Sequence, residues 1–338
     1  MNMVIFGAGA SYDAIPSRGP RAWPRNRLGP RLPLAAELFL PEGLFAECLA
    51  RFPKCKAIVP YLLSPKSGIE AELEKLQREA ETYPERTRQL AAVRYYLQDM
   101  ISTCQAQWLS VAPGGVTNYF ALIDELRRVP EKALLVTFNY DCLIENALEA
   151  FGLKMTQMQD YTRDKEFNLF KLHGSVDWAR QIHSPVDLAK KDGHELVAEV
   201  IEMAPSLNVS DQIRIHRARP LAKDETNMPL FPAISIPVET KTTFECPKEH
   251  LEHLCDQLGK VTRILIIGWR AAEKHFLALL KQHLRGKVRI EAVLGSDADA
   301  LAAINQFTNA QIAHVGQPTS YGFSDYVGNH EAERFLNS

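Results

Sequence analysis

Short apolar runs followed by turn residues constrain this chain more than any other feature. They fall at 3–6, 133–138, 167–172, 263–267, 288–294 and 311–315. Runs of this length, bounded by turn signals, read as strands buried on both faces. Between the later runs the apolar residues recur at helical spacing, at about 271–284 and 297–306. Strands alternating with helices predict the α/β class: a Rossmann-like parallel sheet of about six strands with helices on both faces.

Two stretches interrupt the alternation. Residues 35–112 read almost wholly as helix, and in IEAELEKLQREAE at 69–81 the Glu and Lys/Arg residues sit at spacings that pair across one helix face. The second stretch, 178–230, is mixed and polar and carries Pro185, Pro205, Pro220 and Pro229. The expected organisation is therefore a single domain over 1–338, with a helical insertion at 35–112 and a second, less regular insertion at 178–230.

Charge and cysteine usage narrow the function classes. With 39 Lys+Arg against 41 Asp+Glu, the whole-chain field makes no case for direct nucleic-acid binding or for an anionic membrane. No run approaches the roughly 18 apolar residues of a membrane helix, and no basic leader precedes the first strand. The six cysteines are scattered, without the two-residue spacing of a zinc knuckle or redox motif. A cytoplasmic protein with reduced cysteines, no bound metal and no membrane partner is expected.

Three motifs sit at strand ends, where open α/β sheets place their ligands. In FGAGASYDAIPSR at 6–18, Gly7 and Gly9 allow a tight turn and close backbone approach to a pyrophosphate, although Tyr12 stands where the dinucleotide fingerprint has its third glycine. A plain strand-to-helix turn is the other reading. The segment at 16–33 holds five arginines and five prolines, and Arg18, nearest the turn, is placed to clamp a phosphate or to lie in a solvated loop. In VTFNYD at 136–141, Asp141 can cap the helix that begins after it, which leaves Asn139 without a structural duty. In FKLHGSVDW at 170–178, His173 ends a strand, where it can act as a general base or merely bond a neighbouring carbonyl.

Taken in order, GAGAS after the first strand, TFNYD after the second, LHGS after the third and a strand ending in Gly268 form the series that marks the sirtuin family. The chain resembles that family over roughly 3–315. It is most similar to the sirtuin-like proteins of bacterial anti-phage defence, in which a similar core with helical insertions hydrolyses NAD. The resemblance implies that Gly7, Ala8, Gly9 and Ser11 line the pyrophosphate site and that Asn139 faces the nicotinamide ribose. It matches Asn139 and Asp141 to the polar residues of the NAD-binding motif and His173 to the catalytic histidine. Gly268 corresponds to the glycine that approaches the cofactor, and Gly295-Ser296 to the turn near the adenosine half.

Departures from the family are as informative. Phe138 stands where deacylase sirtuins carry Gln, the paired CxxC zinc module is missing, and GWRAAEKHF at 268–276 lacks the Ser and Asp that often follow the glycine. The resemblance therefore implies an NAD glycohydrolase releasing nicotinamide and ADP-ribose, an antiviral effector for which NAD is substrate. A non-catalytic subunit binding NAD or an ADP-ribose derivative is the alternative, and an NAD-dependent protein deacylase a third. Gating by a homo-oligomer, or by an ATPase or nucleic-acid-sensing partner subunit, is expected by the same analogy.

Overall fold

The structure, a computed structural model, describes residues 1–16, 31–64, 68–112, 116–183, 188, 191–219, 221–238, 243–319 and 321–337. Along the chain the strands are β1 (Asn2–Phe6), β2 (Ala133–Thr137), β3 (Phe167–Lys171), β4 (Gly174–His183), β5 (Asn208–Ile215), β6 (Leu230–Ile234), β7 (Arg263–Ile267), β8 (Val288–Val293) and β9 (Ala313–Pro318). The chain divides into two units, one of Met1–Leu32, Gln105–Leu172 and Cys246–Ser338, the other of Pro33–Cys104 and His173–Glu245.

The first unit holds a six-stranded sheet in the order β3-β2-β1-β7-β8-β9. Every neighbouring pair is parallel. NMVIF of β1 and ALLVT of β2 are buried throughout, as strands covered on both faces must be. Counted within the sheet, the order is that of doubly wound nucleotide-binding folds, and its reversal point lies between β1 and β7. Helices flank the sheet, Asp297–Asn309 against β8 and β9 and Lys248–Leu258 against β3. The α/β fold and the parallel sheet follow the sequence pattern.

Register lines up the strand ends. Phe6 pairs with both Thr137 and Ile267, and Thr137 with Lys171. The ladder runs one residue further, with N–H groups of Gly7, Phe138, Leu172 and Gly268 donating to Ile267, Phe6, Thr137 and Val293 at 2.9–3.1 Å. The carboxyl ends of these strands therefore form one level rim.

The second unit holds an antiparallel sheet ordered β5-β4-β6. Helices Gly43–Ala50, Ile69–Ala80 and Gly193–Met203 belong to it, as does Pro84–Val111 as far as Cys104. From that last helix the Tyr95 hydroxyl donates to the Leu230 carbonyl, and the Gln98 amide to the Val176 carbonyl at 3.2 Å. Both residues are buried, so their polar ends need such partners. No disulfide joins the six cysteines, and no described helix is long and apolar enough to cross a membrane.

Candidate functional site

The turn after β1 packs directly on the turn after β7. A side-chain carbon at Gly7 would fall 2.6 Å from the Gly268 carbonyl oxygen, and one at Gly9 would fall 2.9 Å from the Gly268 Cα. Gly268 itself has φ +63°, the left-handed region that favours glycine. The three glycines thus fit one another, backbone on backbone. The room that Gly7 and Gly9 leave on their Cβ side is filled by the 268–269 backbone. Their N–H groups are bonded as well, to the Ile267 and Gly268 carbonyls at 3.0 and 3.1 Å. Ala8 opens the short helix Ala8–Tyr12. Tyr12, in place of a third glycine, lies under the Arg31 guanidinium at 3.8 Å.

Ser11, on that helix, meets the turn after β2. Asn139 Nδ2 donates its two N–H groups to the Gly7 carbonyl at 2.8 Å and to Ser11 Oγ at 2.9 Å, and the Tyr119 hydroxyl lies 3.3 Å from it. Since a carbonyl can only accept, Gly7 fixes which end of the amide is nitrogen. Asn139 therefore has a structural duty that the sequence did not disclose: it ties two strand-end turns together. Asn139 is buried, with 8% of its surface exposed.

Asp141 completes the cluster. Its Oδ2 accepts from Ser11 Oγ at 2.6 Å, and its Oδ1 accepts from the Leu143 N–H at 3.1 Å, at the start of helix Leu143–Ala150. Ser11 gives its only proton to Asp141, so the Tyr119 hydroxyl, 2.9 Å away, must donate to Ser11. Burial pushes the Tyr119 phenol well above its ordinary range, and the Asp141 charge adds to this against the Ser11 and Asn139 bonds. Tyr119 thus stays protonated as a donor. Its ring lies 5.3 Å from Phe6 and 5.4 Å from Phe323.

Beneath Asp141 lies Lys171, with no exposed side-chain surface. Its ammonium pairs with Glu145 Oε1 at 2.9 Å and donates to the Asp141 carbonyl. Burial works against the charged form, but Glu145 and Asp141 more than offset it, so Lys171 titrates above the usual lysine range. The Tyr161 hydroxyl donates to Glu145 at 3.2 Å.

The aromatic residues that follow β2 and β7 meet each other. Phe138 stacks on Trp269 with ring centroids 4.9 Å apart and planes 13° from parallel, and both meet Phe276 edge-on. Trp269 Nε1 donates to Glu273 at 2.5 Å. Ser296 is exposed and caps helix Asp297–Asn309, accepting from the Asp299 N–H at 3.2 Å. His173 opens the second segment of the second unit and is buried, with its carbonyl accepting from the Ser235 N–H at 2.9 Å. Gly174 after it has φ +81°. Arg18 lies outside the described residues.

Within the first unit, then, the structure gathers Gly7, Gly9, Ser11, Asn139, Asp141 and Gly268 at the rim where the strand order reverses. Residues 133–297 match the sequence model of the SIR2-like domain. The chain carries a SIR2-like domain. The SIR2-like span includes Asn139, Asp141, His173, Gly268 and Ser296, while the glycine turn after β1 precedes it. Among solved structures, the chain aligns with a Sir2 homologue in complex with NAD at 15% identity, covering 99% of this chain and 89% of that one with a TM-score of 0.42. It also aligns with a mutant Sir2 homologue in complex with ADP-ribose, at 15% identity, 99% and 91% coverage and a TM-score of 0.42. No curated protein matches the sequence.

Sequence reasoning missed three members of this cluster. Tyr119 gave no signal, being one apolar position among many in a helix. Lys171 did give one, as a lysine closing the otherwise uncharged FNLFK, and Glu145 gave a fainter one inside the apolar start of its helix.

Proposed function

We propose that this protein is an NAD glycohydrolase, cleaving the bond between nicotinamide and ribose to give nicotinamide and ADP-ribose. The reading is supported by the SIR2-like span, by the doubly wound strand order and by the cluster at its rim. The observation that carries it is Asn139: its two N–H groups are held by the Gly7 carbonyl and Ser11 Oγ, which fixes the direction in which its carbonyl oxygen can accept from a ribose hydroxyl or a water. Holding a nucleophile and a sugar in one geometry supplies much of what such a reaction needs.

In this reading the electron pair of the C1′–N bond leaves with nicotinamide, which departs neutral. Positive character develops on the ribose, and the Asp141 carboxylate contributes negative potential toward it. Water adds to C1′, and His173 takes the proton that the water loses. The proposal extends to the cell by family analogy: an anti-phage effector of the bacterial cytoplasm that depletes NAD, gated by a homo-oligomer or by an ATPase or nucleic-acid-sensing partner.

The test is chromatography of nicotinamide released from NAD by the purified protein, beside Asn139→Ala and His173→Ala variants shown to be folded by thermal melting. Release by the wild type and its loss in both variants is expected. NAD binding without release, alone and with candidate partners, would make the protein a binding subunit. Turnover of an acyl-lysine peptide would make it a deacylase.

A further inference from the structure

Lys171 is the only charged residue of β3, and it is completely buried. Burying an ammonium costs several kcal/mol before its partners compensate, and replacing a buried ion pair by apolar residues is often neutral or stabilising. Stability alone is thus a weak account of a lysine here. Its contacts give a better one, because each leads toward Asn139.

The ammonium bonds the carbonyl of Asp141 and pairs with Glu145, which sits in the first turn of helix Leu143–Ala150. Asp141 in turn holds the first N–H of that helix with one carboxylate oxygen and Ser11 with the other. Ser11 accepts from Asn139. These links make an unbroken chain from the end of β3 to the amide at the end of β2. We propose that Lys171, with Glu145, is a positioning residue that fixes the Asp141 backbone and, through Asp141 and Ser11, the aim of the Asn139 amide. The kinetic part of this inference rests on the hydrolase reading, whereas the geometric part stands without it.

The experiment uses the double variant Lys171→Met/Glu145→Gln in the full chain. It removes both charges together and keeps a side-chain acceptor for Tyr161. A positioning role predicts a melting temperature within about 4 °C of wild type. It also predicts exchange of the Leu143 amide about 10-fold faster, with the Leu135 and Leu169 amides still protected. In the same variant kcat for nicotinamide release falls roughly 10- to 100-fold with little change in KM. A folded double variant with wild-type exchange at Leu143 and wild-type kcat overturns the proposal. Should the wild type release no nicotinamide, the hydrolase reading fails and the exchange of Leu143 still decides the role of Lys171. If that double variant does not fold, Lys171→Leu/Glu145→Leu, which replaces the buried pair by apolar side chains and leaves no donor for the Asp141 carbonyl, is measured in its place: faster Leu143 exchange supports the positioning role, and wild-type exchange with wild-type kcat overturns it.

Discussion

In the first unit Lys171 and Glu145 have 0% and 5% of their side-chain surface exposed, whereas in the second Arg180 and Glu245 keep 20% and 19%. Arg219 and Asp177, also in the second unit, keep 29% and 18%. Both arrangements pair opposite charges at close range. They differ in what happens when one partner is lost, since water can solvate a partly exposed carboxylate and cannot reach a buried one. The buried network behaves as one object that must be complete, while the partly exposed pairs are separable braces on the antiparallel sheet.

The largest expected effect breaks the buried network at one point. Lys171→Met leaves Glu145 without its cation, and urea unfolding should show a loss of about 3–5 kcal/mol. A loss below about 1 kcal/mol would place the two kinds of pair on the same footing.

A smaller effect is expected in the second unit. Arg180 donates to Glu245 at 2.7 and 3.0 Å and to the carbonyls of Ser210 and Asp211. Arg180→Ala should cost about 1–2 kcal/mol in the same measurement. Part of that cost should disappear at about 1 M salt, where the Debye length shrinks to about 3 Å. The cost of Lys171→Met should not change with salt.

The smallest effect separates two histidines by pH. Burial holds His250 below the ordinary imidazole range, against the Met158 carbonyl that bonds its ring at 2.8 Å. Protonation therefore favours the unfolded chain. The contribution of neutral His250 is whole above about pH 6.5 and is lost as pH falls below that toward the folded value. Between pH 7 and 5 the melting temperature of His250→Gln should fall about 1–3 °C less than that of wild type. His216 of the second unit is held low by burial and by Arg219 but is only partly buried, so His216→Gln should change the slope less. Equal slopes for the two variants would show that burial does not set the difference.

How much of this was legible depends on where each residue finds its partners. The strands of the parallel sheet were readable because burial on both faces demands unbroken apolar runs, as in VIF of β1 and ILII of β7. β9 was harder: AHVGQP is half polar, and the strand occupies 313–318 rather than 311–315. β5 was unreadable, since as an edge strand it exposes much of NVSDQIRI and shows no clean alternation. At the site, an Asp just before a helix suggested a cap from local sequence alone. The hold on Asn139 did not, because Gly7, Ser11 and Tyr119 come from distant parts of the chain. Nor could glycine spacing reveal that Gly7 and Gly9 face another glycine turn, a fact of the fold rather than of the motif.

The central place of β1 also has a consequence for synthesis. This strand lies in the middle of the sheet, between a neighbour that begins at residue 133 and another that begins at residue 263. Translated at about 5–20 residues per second, β1 emerges on the order of 10–50 s before its second neighbour. During that interval an apolar strand has two unpaired edges, the condition under which nascent chains aggregate or recruit chaperones. The geometry that puts Gly7 beside Gly268 thus makes the native rim one of the last features of the molecule to form.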